Sequence, residues 1–143
     1  DHTVALGGWA NPHGAAERQV DYLSASDFHD QFYLTQILRH HDVASVSRFV
    51  NEAERRGLTL PGVFGVFYYR SANAKTLQTL RSFLPVPVEG LSREFAAGDA
   101  PEDVCARTIR ILRDAGAKHF YISNLPIGRA QTVLKTILEK AGL

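Results

Sequence analysis

The sequence predicts an α/β fold built on a parallel sheet. Four short runs rich in Val, Phe, Tyr and Leu are separated by amphipathic helical patterns. The runs alternate only weakly with polar residues, as strands buried on both faces do. The first three begin roughly thirty residues apart, which is the usual length of a unit of strand, helix and strand. We therefore expect the element order βαβαβα(α)βα in one domain that spans residues 1–143.

The predicted strands are the apolar runs at residues 4–9, 32–38, 63–69 and 119–123. The clearest helix begins with Asp42 as its N-cap and ends at Gly57. Further helices are predicted at residues 15–23, 75–83, 101–115 and 130–141, with a short additional one at 92–97. Pro101 suits a first helical turn, and Gly116 suits the position past a helix end. Four such units equal half of a (β/α)8 barrel, although they also suit a small open sheet with helices on both faces.

Composition narrows the classes of partner. Lys and Arg total 16 and Asp and Glu total 15, so the net charge of +1 provides no broad basic field for nucleic acid or an anionic membrane. No apolar run approaches the ~20 residues that span a bilayer, and the first residues lack the features of a signal peptide. The single cysteine, Cys105, falls in a helical pattern that favours a buried thiol. Without a disulfide framework, we expect a cytoplasmic protein.

Two glycines and a tryptophan end the first predicted strand. Gly7 and Gly8 would let a planar ligand approach the backbone, and the indole of Trp9 offers a stacking face. His13, in the same loop, could hydrogen-bond a ligand. A tight turn with a packed tryptophan, and a histidine that caps the following helix, explain the same residues without any ligand.

Gln36 interrupts the second apolar run near its carboxyl end. Its uncharged amide can donate and accept at once, which suits the edge of a pterin, a pyrimidine or an amide. Because a long polar side chain in a buried strand requires a partner, we favour a binding role. The alternative is that Thr35 and Gln36 satisfy each other or the backbone.

Two histidines and an aspartate follow this strand, and their side chains are of the types that bind zinc. His40 and His41 are adjacent on a predicted loop, where neighbouring side chains point in different directions, and Asp42 is expected to cap the helix. We therefore predict no metal site here. A metal-dependent hydrolase that uses His40, His41 and Asp42 stays as a third functional alternative.

The third predicted strand ends in a dense group of aromatic residues before Arg70. Part of this group belongs to the core, and Tyr69, the last of the run, is expected to line a pocket at the same sheet edge as Gln36. After the fourth strand, Gly128 and Arg129 at a helix start could hold a carboxylate or a phosphate. A plain glycine turn with a solvated arginine fits that loop equally well.

Taken in order along the chain, these segments resemble the second half of methylenetetrahydrofolate reductase, a (β/α)8 barrel that reduces methylenetetrahydrofolate to methyltetrahydrofolate. The likeness spans nearly all of the chain. The family carries an Ala/Gly-rich strand that ends in an aromatic residue with Pro and His nearby, then an Ile-Thr-Gln signature, then a Pro-Gly-Ile-Met-Pro-Ile type of strand. The counterparts here are Gly7-Gly8-Trp9 with Pro12 and His13, Leu34-Thr35-Gln36, and Pro61-Gly62-Val63-Phe64-Gly65-Val66.

The resemblance implies roles for individual residues. Gln36 matches the folate-reading glutamine, and Tyr69 falls where the family has an aromatic residue that packs against folate or nicotinamide. Arg129 resembles the arginine after the final strand. The residues that fall in the family's flavin-site segment are Gly7, Gly8, Trp9 and His13. The resemblance also implies a folate substrate and NADH or NADPH as the hydride donor.

The chain departs from the family pattern in its second unit. Residues 21–36 contain no Lys or Arg, whereas the family usually places cations there to meet the phosphates of the flavin. Anions without cationic partners bind poorly, so this departure argues against bound FAD and opens the option of direct hydride transfer from the nicotinamide. Gly65 replaces the second proline of the strand signature, which marks an unusual branch.

The family's catalytic glutamate and its flavin-contacting aspartate belong to strands upstream of those found here, so no catalytic acid is predicted within this chain. The absence of methionine and the apolar opening predict a piece of a larger protein. We expect the missing amino-terminal half of the barrel, or a second chain, as partner, and a homo-oligomer as the assembly. A non-catalytic folate- or nucleotide-binding half-barrel is the second functional alternative.

Overall fold

A computed structural model describes residues 4–143, so residues 1–3 of the predicted domain lie outside the described residues. Within this range, four strands and six α-helices alternate as predicted, except that three helices lie between the third and fourth strands where the order βαβαβα(α)βα has two. The strands are β1 Gly7–Ala10, β2 Phe32–Leu38, β3 Gly62–Phe67 and β4 His119–Ser123. The helices are α1 Ala16–Leu23, α2 Val43–Arg55, α3 Ala74–Arg81, α4 Val88–Ala96, α5 Pro101–Asp114 and α6 Ala130–Ala141. Short 3-10 helices at His40–Asp42 and Ile127–Arg129 precede α2 and α6.

The four strands form a parallel sheet in the order β1-β2-β3-β4. Parallel neighbours need crossover connections, and each connection here contains at least one helix. The predicted α/β class and the parallel sheet are therefore confirmed. Because all strands run the same way, the segments that follow them share one edge of the sheet. We call this edge, with residues 11–15, 39–42, 68–73 and 124–126, the carboxyl edge.

One face of the sheet packs against α1, α2, α5 and α6 in a continuous core. Tyr33 of β2, Phe49 of α2 and Phe64 of β3 lie in this core with their ring centroids 5.9 to 6.4 Å apart and their planes edge to face. Such pairs contribute free energy beyond simple burial. Cys105 of α5 belongs to the same core and is 2% exposed, and its burial raises the pKa of the thiol to about 12.

Helix α2 illustrates how the local sequence produces this core. Its buried side chains recur at the helical spacing and comprise Ser45, Val46, Phe49, Val50 and Ala53. Gly57, just past its end, has a φ of +67°, which a residue with a Cβ adopts only with strain. Asp42 precedes the helix as predicted, and its carboxylate accepts a hydrogen bond from the Ser45 hydroxyl at 2.7 Å. That bond holds the pKa of Asp42 below its ordinary value.

The opposite face of the sheet carries a row of side chains at matching register. Trp9 pairs with Leu34, Leu34 pairs with Val63, and Val63 pairs with His119. Trp9 is 54% exposed, His119 is exposed, and the two aliphatic residues between them are half-buried. Half-buried Tyr121 lies two residues further along β4. We call these five residues the open face.

A second, smaller hydrophobic cluster lies at the carboxyl end of β3. Its buried members are Tyr69, Leu77, Val86, Leu91 and Val104. They come from the segment after β3, from α3, from the segment before α4, and from α4 and α5. The ring of Phe67 packs beside this cluster with its centroid 4.8 Å from that of Tyr69. Helices α3 and α4 therefore form a layer of their own at the carboxyl edge.

Most predicted elements agree closely with the structure, and β2, β4 and α6 agree to the residue. The first strand is an exception, because β1 begins at Gly7 and not at residue 4. Val4 and Leu6 are 82% and 59% exposed, and among residues 4–143 β1 pairs with β2 alone. The carbonyl of Leu6 accepts one bond from the N–H of Gln31 at 2.8 Å, but the ladder begins at Gly7. None of the helices in the described part of the chain is long and apolar enough to cross a membrane.

Two further boundaries are wrong. β3 ends at Phe67 and not at residue 69, because Tyr68 and Tyr69 leave the strand to pack into different clusters. α4 begins at Val88 and not at residue 92. Pro87 is its N-cap, where a residue donates no intrahelical hydrogen bond, so the proline does not prevent an earlier start.

Candidate functional site

Hydrogen bonds hold the loops of the carboxyl edge in pairs. Nε2 of His13 donates to the carbonyl of Ile37 at 2.8 Å, which joins the loop after β1 to the end of β2. Nδ2 of Asn124 donates to the carbonyl of Tyr68 at 3.0 Å, and Arg70 donates to the carbonyl of Asn124 at 3.3 Å. Asn124 has a φ of +73°, a conformation that asparagine tolerates better than most residues. The carboxyl edge is thus fixed by side chains that the sequence places directly after the strands.

Gln36 lies at a β-bulge in β2. Two residues of β2, Thr35 and Gln36, oppose the single residue Phe64 of β3. Oε1 of Gln36 accepts a hydrogen bond from the N–H of Ile37 at 2.8 Å. Its Nε2 group has no hydrogen-bond partner among residues 4–143. The oxygen of Gln36 therefore serves the backbone, as the alternative explanation holds, while its two N–H groups stay available as donors.

A hydrogen bond crosses the open face beside this bulge. The hydroxyl of Tyr121 donates to the carbonyl of Thr35 at 2.5 Å, although β3 lies between their strands. The phenol lies over Gly65, and a Cβ at that position would collide with it. Oγ1 of Thr35 also accepts from the N–H of Gly65 at 2.9 Å. Tyr121 can therefore keep this position only while residue 65 has no Cβ.

Gly7 and Gly8 lie within β1 and not after it. A Cβ at Gly7 would collide with the ring of Phe32, and one at Gly8 would collide with the ring of Phe28. Side chains of this chain thus occupy the space that was expected to admit a planar ligand. Trp9, the next residue, remains 54% exposed on the open face and is accessible to a stacking partner.

Consecutive tyrosines after β3 belong to two different clusters. Tyr69 is 7% exposed in the cluster of α3 and α4, and burial raises its pKa to about 12. The hydroxyl of Tyr68 donates to Oε1 of Glu102 at 2.9 Å on the helix-covered side. Tyr69 is therefore held in the α3 and α4 layer, whereas Gln36 is held in the strand ladder. No hydrogen bond among residues 4–143 joins these two predicted site residues.

Arg129 is exposed at the end of the 3-10 helix before α6. Burial, and then the hydrogen bond to Glu102, raise the pKa of Tyr68 to about 12, and the positive charge of Arg129 counteracts that rise. Within residues 4–143, no carboxylate lies within 4.0 Å of Arg129. Gly128 has open space around the position of a Cβ, so packing does not require a glycine there. The exposed guanidinium of Arg129 is therefore free to bind an anion at this loop.

His40 and His41 converge on one carboxylate, contrary to the prediction that they point in different directions. Nε2 of His40 lies 3.0 Å from Oε2 of Glu94, and Nε2 of His41 lies 2.5 Å from Oε1. The two rings stack with centroids 3.9 Å apart. The 3-10 turn at His40–Asp42 brings both rings toward α4, whereas Asp42 binds Ser45. The three converging side chains are therefore two histidines and a glutamate.

Charge and burial compete in this cluster. Burial, and then the neighbouring His41, hold the pKa of His40 below its ordinary value. Burial of Glu94 opposes its ionisation, but the hydrogen bond from His41 and the charges around it hold the net pKa of Glu94 below its ordinary value. Arg107 also bonds Oε2 of Glu94 and pairs with Asp99 at 2.9 Å.

A cavity of about 380 Å³ opens at the carboxyl edge beside His41. Three guanidinium groups line it, from Arg39 after β2, Arg81 at the end of α3 and Arg93 on α4. In the part of the chain that the structure describes, none of the three has a carboxylate within 4.0 Å. Glu89 is the one acidic residue recorded in its lining. The cavity therefore attracts anions.

Sequence reasoning identified some of these groups and missed others. Arg39, His40 and His41 were visible because they directly follow a strand. Glu94 was missed because it lies 54 residues beyond His40 and no local pattern connects them. The pairing of Gln36 with its own neighbour follows from the bulge, which a single sequence does not reveal.

Comparison with known proteins adds no assignment to this geometry. No model of a known protein family matches the chain, and no curated protein matches it significantly. The fold and the contacts described above are therefore the observations on which a functional assignment depends.

Proposed function

We propose that the chain is the carboxyl-terminal half of a (β/α)8 barrel in a reductase of the methylenetetrahydrofolate reductase type. The observation that carries this proposal is the sheet order β1-β2-β3-β4, with all strands parallel. An open, doubly wound sheet reverses its strand order at a switch point, whereas a barrel does not. The core built by α1, α2, α5 and α6 on one face fits the outer ring of helices in a barrel.

The open face supports the proposal that the chain is half of a barrel. Trp9, Leu34 and Val63 leave apolar surface accessible beside the exposed imidazole of His119. In a complete barrel this face would be enclosed by the remaining four strands, supplied by an amino-terminal half or by a second chain. Unpaired strand edges at β1 and β4 would pair with the same partner.

Gln36 is the residue proposed to read the folate. Its Oε1 is engaged by the N–H of Ile37, so its recognition of a pterin would depend on the N–H groups of its amide. Those donors would meet an acceptor on the pterin, and their loss would leave that acceptor unpaired. The bulge fixes the side chain by a bond to its own backbone, so little rotational freedom would be lost on binding.

The arginine-lined cavity supports an anionic ligand at the carboxyl edge. Residues 21–36 lack cations, but Arg39, Arg81 and Arg93 supply three in the next connections. Phosphates of a nicotinamide dinucleotide, or glutamate carboxylates of a folate, would be stabilised by such groups. We assign NADH or NADPH as the hydride donor. FAD is left out of the proposal because the three arginines of the cavity follow β2 in the chain, whereas the segment before β2, where the family binds the flavin phosphates, has no Lys or Arg.

The proposed reaction is a hydride transfer. A bound reduced nicotinamide would supply a hydride to the methylene carbon of the folate, the bond from that carbon to one of its two nitrogens would break, and a proton would complete that nitrogen. The residues of this chain would orient the substrate, with Gln36 at the pterin and exposed Trp9 against an aromatic ring, whereas buried Tyr69 is enclosed by α3 and α4. The proton donor would lie outside this chain.

Trp9 provides a direct test, because it is the only tryptophan and lies on the open face. We expect methyltetrahydrofolate to change its fluorescence saturably, since a pterin ring stacked on an exposed indole alters the emission of that indole. Gln36→Ala should weaken this binding by about tenfold, the effect of one lost hydrogen bond to a ligand. Gln78→Ala, which removes an exposed amide on α3, is the matched control and should leave the titration unchanged.

A titration without saturation in the unmodified chain, or one that Gln36→Ala does not change, would contradict the proposed folate site. A non-catalytic binding half-barrel is the second candidate, and exposed Trp9 with the unpaired strand edges favours it. The full-length protein distinguishes the two. Consumption of NADH with methylenetetrahydrofolate that falls in Gln36→Ala supports the reductase, and saturable binding without turnover supports the binding module.

A further inference from the structure

We propose that His40, His41 and Glu94 form a site for a divalent transition-metal ion, with zinc as its preferred occupant. The three ligands lie on the turn after β2 and on helix α4, and none of them is assigned to the pterin. His41 also lines the arginine cavity assigned above to an anionic ligand, so the two sites adjoin.

The geometry of the three side chains fits one small cation. One ligand atom from each residue lies within 4.8 Å of the other two. The side chains of His40, Glu94 and His41 are 9%, 14% and 22% exposed, so they are held by packing and are not free surface groups. A tetrahedral zinc ion with ligands at about 2.0 to 2.2 Å needs ligand atoms a little over 3 Å apart. In the structure, Nε2 of His40 and Nε2 of His41 lie 3.0 Å and 2.5 Å from the nearer oxygens of Glu94, so the three side chains would have to move apart slightly to admit the ion.

Thr108 supports the far side of the His40 ring. Nδ1 of His40 lies 2.8 Å from Oγ1 of Thr108, whose hydroxyl is also placed to donate to the carbonyl of Val104 at 3.1 Å. In that arrangement Nδ1–H of His40 donates to Thr108, and Nε2 presents a lone pair toward Oε2 of Glu94, 3.0 Å away. A metal ion between these two atoms would be bound by both.

The contact with Thr108 supplies the outer support that metal-bound histidines require. Ligating histidines almost always donate their second ring N–H to a fixed acceptor, as His40 does to Thr108. The opposite ring, His41, occupies the space above Gly90 of α4, where a Cβ would collide with it. Glycine at position 90 therefore lets His41 reach the carboxylate of Glu94.

The chemistry of the donors selects the metal class. Two neutral imidazoles and one carboxylate suit zinc, and three protein ligands leave a fourth position open. His41 lines the cavity of Arg39, Arg81 and Arg93, so a phosphate or carboxylate held there could fill the open position. The surplus of guanidinium groups around the site would then be balanced by that anion.

Arg107 is the competitor of the metal. Its guanidinium bonds Oε2 of Glu94, and it opposes a second positive charge at the same oxygen. Asp99 also pairs with Arg107 at 2.9 Å, so this carboxylate can retain the guanidinium when a metal takes Glu94. The proposal thus makes two opposite predictions for neighbours in one cluster. Loss of Glu94 should weaken metal binding, and loss of Arg107 should strengthen it.

The test is a titration of the tag-free chain with Co²⁺ as a spectroscopic probe, followed by displacement with Zn²⁺. We expect one equivalent of Co²⁺ to give visible absorption bands of a four-coordinate ion, and Zn²⁺ to remove them. Glu94→Gln and His41→Ala should each weaken binding at least about tenfold, and Arg107→Gln should strengthen it several-fold. His29→Ala, which removes an exposed imidazole before β2, is the matched control and should have no effect.

Circular dichroism of each variant establishes that it is folded before its affinity is compared. Absence of stoichiometric binding in the unmodified chain would overturn the proposal. Binding that survives both Glu94→Gln and His41→Ala would overturn it as well, because the ion would then be held elsewhere. Tighter Zn²⁺ binding on addition of inorganic phosphate would identify the cavity as the source of the fourth ligand, and unchanged or weaker binding would restrict the proposal to the metal alone.

Discussion

The two faces of the sheet differ in what surrounds their side chains. On the helix-covered face, Tyr33, Phe49 and Phe64 are at most 5% exposed and contact one another edge to face. On the open face, Trp9 is 54% exposed and Leu34 is only half-buried. The first face is completed by the chain's own helices, and the second is apolar without being enclosed. We infer that the free energy of folding comes mainly from the covered face, which leaves the open face available for contacts with a partner or ligand.

The largest expected loss of stability comes from a substitution on the covered face. Phe49→Ala should lower the free energy of unfolding by about 3 to 5 kcal/mol, because it removes a fully buried ring and leaves a cavity between Tyr33 and Phe64. Leu34→Ala on the open face should lower it by less, about 1 to 2 kcal/mol, since part of that side chain already contacts water. Urea unfolding followed by circular dichroism measures both. Equal losses would contradict the difference between the faces.

An intermediate effect concerns the bond that crosses the open face. Gly65→Ala should cost about 1 to 3 kcal/mol, because the new methyl group displaces the phenol of Tyr121 from the carbonyl of Thr35. In a Tyr121→Ala background the same change should cost much less, since the collision is gone. The coupling energy of this double-mutant cycle is the measurement. Additive losses would show that the two residues do not interact.

The smallest expected effect concerns a carboxylate at the start of α5. Asp103 accepts from the N–H of Ala100 at 2.8 Å and pairs with Lys140 of α6 at 2.8 Å. The bond from Lys140, and then that from Ala100, hold the pKa of Asp103 below its ordinary value. Its stabilisation is therefore complete above about pH 4, the unfolded value, and is lost as the pH falls through the folded pKa.

Asp103→Asn should accordingly reduce stability by about 1 kcal/mol at neutral pH, and the two proteins should converge in acid. Urea unfolding at a series of pH values checks this difference. Asp114→Asn, an exposed change at the other end of the same helix, should cause no loss. A difference between Asp103 and its variant that persists unchanged at low pH would show that the effect does not arise from the charge.

Local patterns predicted much of the fold. Residues 32–38 and 119–123 carry dense Phe, Tyr, Leu and Ile, and they form β2 and β4 with the predicted bounds. Pro101 begins α5, and Gly116 lies just past its end with a φ of +109°. These signals are short-range, because a cap or a breaker acts within one turn of its own helix. The strand order, by contrast, could be determined only from the structure, since the alternation of strands and helices fits both half of a barrel and an open sheet.

Contacts between distant segments could not be read from the sequence. The prediction that adjacent histidines diverge is wrong, because a 3-10 turn at His40–Asp42 directs both toward Glu94 of a helix 53 or more residues away. The role of Gly65 depends on Tyr121, a residue on the neighbouring strand. In both cases a local pattern supplied the residue type, and tertiary packing decided its partner. The assignments of Gln36, Tyr69 and Arg129 to a folate stay predictions.

The lone cysteine of the covered face has a practical consequence for observing motion. Burial raises the pKa of the Cys105 thiol to about 12, so the reactive thiolate is scarce at neutral pH, and the residue is only 2% exposed in the core between α5 and the sheet. A maleimide or disulfide reagent can therefore react only during transient separation of that helix from the strands. The rate of alkylation therefore measures how often the core around Cys105 opens, and no engineered label is required.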